Sequence, residues 1–429
     1  MSSTAQDLAI TSQAKATLFS HPDDTSYVDG LDDPVRTVAE LQKLGPIIRG
    51  ESLQTGYMMR FGDVILPNML TSPQRLEHGV FAALTWEAGR AVYMDPARFS
   101  SSALSETSGK NWGHNLSEMD PPIHTKFRMI VQKGFMPKMV ASWDADIIRP
   151  ILKQSFDAIK SKGHADLVRE LTAFFPYKIV GAVVGFDPED IVFVGRAFHN
   201  LYQGRLNPEA ALQASIDLKS YSKKLIDARR RSPTSDLVSV MTLSEIDEEP
   251  IPDETFIGMV IHLMAGGIDT VYRISSNIVH LLLNHPEQFE RLKADRTLIS
   301  STIEETLRYQ GVASMLPRMV MEDTDLLGVR MPKGSIVYVI NAAVNRDPTR
   351  WPNPHTFDIS RAPLPHMAFG NGAHSCIGVH LARFELKQYL EHVLDDLPNL
   401  QWDPSVKDIP RITGWTIRGT NSLPVVWDA

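Results

Sequence analysis

The 429-residue chain is 43% hydrophobic and 22% charged, enough apolar content to bury a large core and unlike a disordered or fibrous composition. Its net charge of -8 comes from 51 acidic against 43 basic residues spread along the chain, which leaves no basic stripe for a phosphate backbone, so nucleic acid is not an expected partner. The single cysteine rules out an internal disulfide and suits a reducing compartment.

From residue 1 to about 33 the chain is polar, led by Ser2, Ser3, Thr4, Gln6 and Asp7, without the charged-then-apolar order of a secretory leader. A cytoplasmic protein with an amino-terminal extension over about 1–35 is expected. No repeat, heptad array or low-complexity linker divides the rest of the chain, so 1–429 reads as one domain. Apolar residues at three- and four-residue intervals predict helices over 150–162, 211–230, 253–284, 286–294, 300–309 and 377–394. Strands are expected at 326–331 and 334–340, on either side of a turn at Pro332-Lys333-Gly334. The fold class is mainly α with minor β. The longest apolar stretches, 256–265 and 278–283, are interrupted or bounded by His262, Gly266, Asp269, Arg273 and His280, so no uninterrupted membrane span is expected.

Pro252-Asp253-Glu254 opens the longest predicted helix, with acidic residues at its positive end, and His285-Pro286 closes it. Gly266 and Gly267 sit midway, where each costs roughly 1 kcal/mol relative to alanine. Close helix packing is the ordinary explanation; a local opening of the helix against a ligand is the other.

The run Phe369-Gly370-Asn371-Gly372-Ala373-His374-Ser375-Cys376-Ile377-Gly378 places glycines around the only sulfhydryl, just before a predicted helix. Backbone amides and the helix dipole there stabilise a thiolate, which suits a metal. This run resembles the haem-binding signature of the cytochrome P450 family, matching at Phe369, Gly370, Gly372, His374, Cys376 and Gly378. The resemblance extends from about Asp120 onward through further segments in the family's order.

The resemblance implies a triangular helical prism, with haem b (heme, iron protoporphyrin IX) between the central helix and the helix after the cysteine. Cys376 would be the axial thiolate ligand of the iron. Residues 36–110 would form a mixed small-sheet region and 111–429 the haem-binding helical body. Phe369 and Gly370 would belong to the cofactor loop. His124 and Arg128, four apart in Asp120 to Arg128, would hold a haem propionate together with Arg318 and His374. Gly266-Gly267-Ile268-Asp269-Thr270 looks like the oxygen-binding stretch, whose acid and alcohol, Asp269 and Thr270, would deliver protons. Glu305 and Arg308, spaced E-x-x-R, would form a buried structural network with Arg361 rather than do chemistry.

A thiolate-ligated haem favours oxygen activation over oxygen carriage. The implied activity is dioxygen-dependent hydroxylation of a small hydrophobic substrate, terpenoid or aromatic. The stretch Arg418 to Val425 resembles members acting on aryl ethers, so O-demethylation is an alternative. A peroxide-driven enzyme is disfavoured by the Asp269-Thr270 pair, and a noncatalytic haem-thiolate sensor is the further alternative. With no dinucleotide fingerprint and one cysteine, electrons must come from a separate protein, which the resemblance implies is a small acidic ferredoxin or flavodoxin served by its reductase. Lys126, Lys133 and Arg383 are candidate contacts for that donor, and a monomer is expected. By resemblance the pocket includes Leu263, Gly267, Val312 to Met315 and Thr413-Gly414-Trp415, with Trp112 and the stretch Phe193 to Tyr202 near its entrance.

Overall fold

The computed structural model describes residues 34–53, 58–67, 69, 77–106, 108–202, 207–414 and 417–429. The main helices are α1 (Trp86–Met94), α2 (Ile123–Gly134), α3 (Phe175–Val184), α4 (Ile191–Tyr202), α5 (Pro208–Arg231), α6 (Asp253–Asn284), α7 (Pro286–Ala294), α8 (Ile299–Gln310) and α9 (Val379–Asp396). Helix α6 is the axis, with α3, α5, α8 and α9 packed around it. It begins after Pro252 with Asp253 and Glu254 in its first turn, and it stops at His285, as its sequence signals require. Buried residues occur all round it because it is surrounded. By length and mean hydropathy α6 could cross a bilayer, contrary to the reading of its polar interruptions, yet 61% of its most apolar window is buried inside the protein. Those properties are the ones a central core helix needs.

The strands are β1 (Ile47–Ser52), β2 (Met58–Phe61), β3 (Val64–Pro67), β4 (Val80–Ala83), β5 (Phe99–Ser100), β6 (Leu316–Val320), β7 (Thr324–Leu326), β8 (Val329–Met331) and β9 (Ile336–Val339), besides minor pairs elsewhere. The largest sheet has the order β3-β2-β1-β4-β9-β6-β5. Strand β9 runs parallel to β4 and antiparallel to β6, with Val337 opposite both Phe81 and Arg318. Its four residues are all buried because apolar clusters cover both faces of the sheet. This sheet is what carries Arg318 into the interior.

Among the boundaries that differ from the sequence expectation, three are instructive. The stretch 326–331 is not one strand: β7 and β8 form a hairpin, turned by Leu327 at φ 49 and Gly328 at φ 80. The helix expected over 150–162 ends at Asp157, and a separate turn over Lys160–Lys162 is closed by left-handed Gly163. The helix after the cysteine starts at Val379 rather than 377, because Gly378 donates its N–H to the Cys376 sulfur.

Candidate functional site

The loop before α9 is shaped by glycines and closed by backbone bonds. Gly370 and Gly372 have φ of 70 and 71, and a Cβ at Gly372 would lie 2.4 Å from the Tyr93 carbonyl. Any side chain there would displace α1. The loop is then pinned by Cys376 N–H donating to Phe369 O at 2.8 Å and by Gly370 N–H donating to Met367 O at 3.0 Å. Cys376 is solvent-accessible. It is nevertheless so ringed by protein that burial pushes its thiol upward, against the opposing pull of the Gly378 N–H, Arg128 and Arg383. A sulfur with both properties looks onto a crevice within the molecule.

Four groups from distant segments meet beside it. Arg128 on α2 donates from Nη2 to the Ser375 carbonyl at 2.6 Å. The His124 and His374 rings lie 4.1 Å apart, centroid to centroid. Arg318 on β6 is buried, donates to the Pro317 carbonyl at 2.8 Å, and lies 5.2 Å from the Tyr93 ring centre. Burial, then Arg128, holds His124 down at about 4, with Asp120 opposing. Burial, then Arg318, His124 and Arg128, holds His374 down at about 2. Both rings are therefore neutral near pH 7, between two guanidiniums. His374 Nε2 is buried and has no hydrogen-bond partner among the described residues.

That arrangement is costly for a protein by itself, because buried polar groups normally find partners and buried charges find counterions. An anionic cofactor edge would supply both. Haem fits this donor set: a thiolate-capable sulfur faces the crevice, and an orphaned imidazole nitrogen with two guanidiniums is placed for carboxylates.

Helix α6 presents His262, Gly266 and Thr270, spaced four apart on one face, and His262 is near enough to His374 to add to the downward pull on that ring. Gly266 and Thr270 are exposed although their neighbours Ala265, Ile268 and Val271 are buried. The helix stays continuous there, and Thr270 Oγ1 donates to Gly266 O at 2.6 Å, so there is no local opening of the backbone. The two glycines differ. A Cβ on Gly267 would come within 2.6 Å of Val180 Cγ2 on α3, whereas one on Gly266 would meet only His262 Cδ2 at 4.0 Å. Gly267 is thus a packing glycine, not a wall of the crevice, and Gly266 is the open one. Asp269 is paired: Arg273 Nε lies 3.1 Å from both its oxygens. Tyr177 and Tyr202 sense this carboxylate, their phenols pushed up by burial and next by its charge.

Glu305 accepts from Arg308 Nε at 2.7 Å and Nη2 at 2.9 Å, and from Arg361 Nε at 3.2 Å. Arg308 reaches on to the carbonyls of Asn345, Pro354 and Thr356, and Arg361 to those of Pro352, Asn353 and Thr356. One carboxylate therefore anchors two guanidiniums that lace the loop before the cysteine segment. The adjacent Glu304, which no motif singles out, binds His366 at 3.1 Å and Arg383 through two contacts of 2.7 Å. Arg383 is thereby committed to α8, and Lys126 pairs with Asp247. Lys133 is exposed.

The expected pocket residues divide. Leu263 is partly buried, Val312 is 7% exposed, and Thr413 bridges to Gly419. Met315 is fully buried in a sheet cluster, so it does not line the crevice. Strand pairing from residue 316 onward turns that segment into the sheet core. Trp415 lies outside the described residues. Trp112 packs edge-on to His262 at 5.6 Å. Of the stretch Phe193 to Tyr202, Phe193 is 41% exposed while Phe198 is buried in the main core, so the stretch is a packed helix rather than an open aromatic rim. Sequence reading missed His262 and Asn115, whose side chains meet at 2.7 Å. The available signal was a histidine one turn before the open glycine of α6.

Comparison with known proteins agrees with this geometry. The Cytochrome P450 family profile matches residues 212–422. The chain is similar to cytochrome P450 monooxygenase PikC of Streptomyces venezuelae, 32% identical over 362 residues, covering 81% of this chain and 85% of that one. It is also 32% identical over 311 residues to a vitamin D3 dihydroxylase of Streptomyces griseolus, covering 72% and 76%. A myxobacterial cytochrome P450 solved with myristic acid superposes with a TM-score of 0.80 at 27% identity, covering 96% of this chain and 99% of that one.

Proposed function

The chain belongs to the cytochrome P450 family of monooxygenases, and from that premise we propose that Cys376 is the thiolate ligand of its haem and that the crevice between α6 and the cysteine loop is where a hydrophobic substrate is oxidised. The observation that carries this reading is the meeting of His124, Arg128, Arg318 and His374 beside Cys376, with Arg128 bonded to the residue before it. These four would hold the propionates, and Phe369 and Gly370 would shape the loop under the ring. When bound, a thiolate-ligated haem supplies reductive activation of dioxygen and insertion of one oxygen atom into a carbon–hydrogen bond.

The protein's own part is to hold, orient and move protons. Burial raises the Cys376 thiol, and the Gly378 N–H, Arg128 and Arg383 oppose it toward the thiolate form, as the start of α9 would. Thr270 projects from the accessible stripe of α6, its proton given to the Gly266 carbonyl, so its oxygen lone pairs face the crevice as acceptors. Asp269, next in the chain, is held by Arg273. As the pair acting in proton delivery, Asp269 would pass protons on and Thr270 would orient the final donor. Glu305, Arg308 and Arg361 keep the cofactor loop in place.

The substrate is a small hydrophobic molecule, terpenoid or aromatic, and the reaction is hydroxylation. With Leu263 and Val312 as walls the crevice would be apolar, which supports this class, as does similarity to a vitamin D3 dihydroxylase. Electrons come from a separate ferredoxin or flavodoxin. The enzyme acts as a single-domain cytoplasmic monomer. The test is a reduced carbon-monoxide difference spectrum of the purified protein beside Cys376→Ser: a thiolate-type red-shifted Soret band, lost in the variant, is expected, and a band indifferent to the substitution would overturn the assignment.

A further inference from the structure

The accessible stripe of α6 carries one polar side chain that the reaction leaves unused. A Cβ at Gly266 would meet only His262 Cδ2, at 4.0 Å, so Cδ2, the atom to which Nε2 is bonded, is the part of the ring nearest the open glycine. The other edge is fixed, with Nδ1 2.7 Å from Asn115 Oδ1. The Asn115 amide has only one orientation that satisfies its neighbours. Its Nδ2 donates to Gly113 O at 2.8 Å, while its Oδ1 accepts from the Ser117 N–H at 3.0 Å and the Ser117 hydroxyl at 2.6 Å. An acceptor therefore faces His262 Nδ1, and Nδ1 must carry the ring proton.

Burial holds His262 down at about 4, so the ring is neutral at pH 7 and Nε2 is an acceptor alone. The Trp112 ring, edge-on at 5.6 Å, limits rotation. Nε2 makes no hydrogen bond among the described residues.

We infer that His262 is a specificity residue that accepts a hydrogen bond from a hydroxyl or N–H group on an otherwise apolar substrate, orienting that substrate along the Gly266 and Thr270 stripe. A substrate whose only polar atom is a carbonyl would set lone pair against lone pair. The inference rests on the proposed function, in which the crevice is the site of oxidation.

The test uses the haem-loaded enzyme and matched pairs that share a skeleton and differ in donor or acceptor: 4-tert-butylcyclohexanol with its ketone, and testosterone with androstenedione. Binding is read by substrate-induced spin shift and by calorimetry. The alcohol of at least one pair is expected to bind about fivefold to tenfold more tightly, the worth of one hydrogen bond. His262→Phe should remove that difference. His262→Gln, which offers both a donor and an acceptor, should raise ketone binding while keeping the alcohol. Equal affinities in the unaltered enzyme, no binding of either pair, or a preference that survives in His262→Phe would overturn the inference. Loss of haem in His262→Phe would overturn it too, by making the residue a cofactor ligand. A thiolate-type carbon-monoxide spectrum retained throughout separates failure of this inference from failure of the site assignment.

Discussion

Arg128 Nη2 donates to the Ser375 carbonyl at 2.6 Å, tying α2 to the residue before the cysteine across 247 positions of sequence. The same guanidinium helps hold the Cys376 thiol down against burial. Removing it should loosen both the loop and the cofactor. Arg128→Met is expected to speed haem transfer to apomyoglobin by at least about tenfold, the lower end of what a charged hydrogen bond contributes. Arg128→Lys, which keeps the charge but not the fork, should fall between. Unchanged transfer in Arg128→Met would remove this residue from the cofactor site.

Glu305 is 4% exposed and holds Arg308 and Arg361 together. Glu305→Leu would leave two guanidiniums without their shared carboxylate, and breaking a buried pair from one side costs about 3–5 kcal/mol. Urea unfolding should show a loss of that order, with little change in the pattern of products from the enzyme that remains folded. A change in product pattern without a loss of stability would mean the network acts in chemistry.

The neighbouring glycines of α6 should respond oppositely. Gly267→Ala forces a methyl against Val180 Cγ2, and overpacking of this kind costs about 1–3 kcal/mol. Gly266→Ala meets open space and gains up to about 1 kcal/mol of helix propensity, while narrowing the crevice beside His262. Thermal unfolding of the pair, with substrate titration of Gly266→Ala, checks both. Equal destabilisation by the two would contradict the packing difference.

The ends of α6 were legible because Pro252, Asp253, Glu254 and His285-Pro286 are local signals. The cysteine loop was legible for the same reason: its glycines and sulfur are contiguous. The cluster of His124, Arg128, Arg318 and His374 was not derivable from spacing, since its members come from α2, β6 and the loop before α9, and only family resemblance linked them. Facing direction was the main loss. A motif fixes that Gly267 and Met315 lie near the site, but Val180 on α3 and the register of β6 decide that one packs against a helix and the other enters a sheet core. His262 and Asn115 were invisible as a pair because 147 residues separate them.

Glu304 gives a pH dependence with a definite sign. Burial alone would raise its carboxyl, but hydrogen bonds from His366 and Arg383 outweigh it and hold the group at about 2 against an ordinary 4.5. The folded protein thus favours the carboxylate more than the unfolded chain does. Its contribution to stability is complete above 4.5 and is lost as pH falls from there toward about 2. Glu304→Gln keeps the shape and removes the charge, so the variant should be less stable than the unaltered protein near neutral pH, and the difference should narrow as the medium is acidified through 4.5. Urea midpoints for the two proteins across that range are the measurement. A gap that stays constant as the carboxyl should be taking up its proton would mean that Glu304 holds Arg383 by packing rather than by charge, and that the clasp between α8 and α9 is not electrostatic.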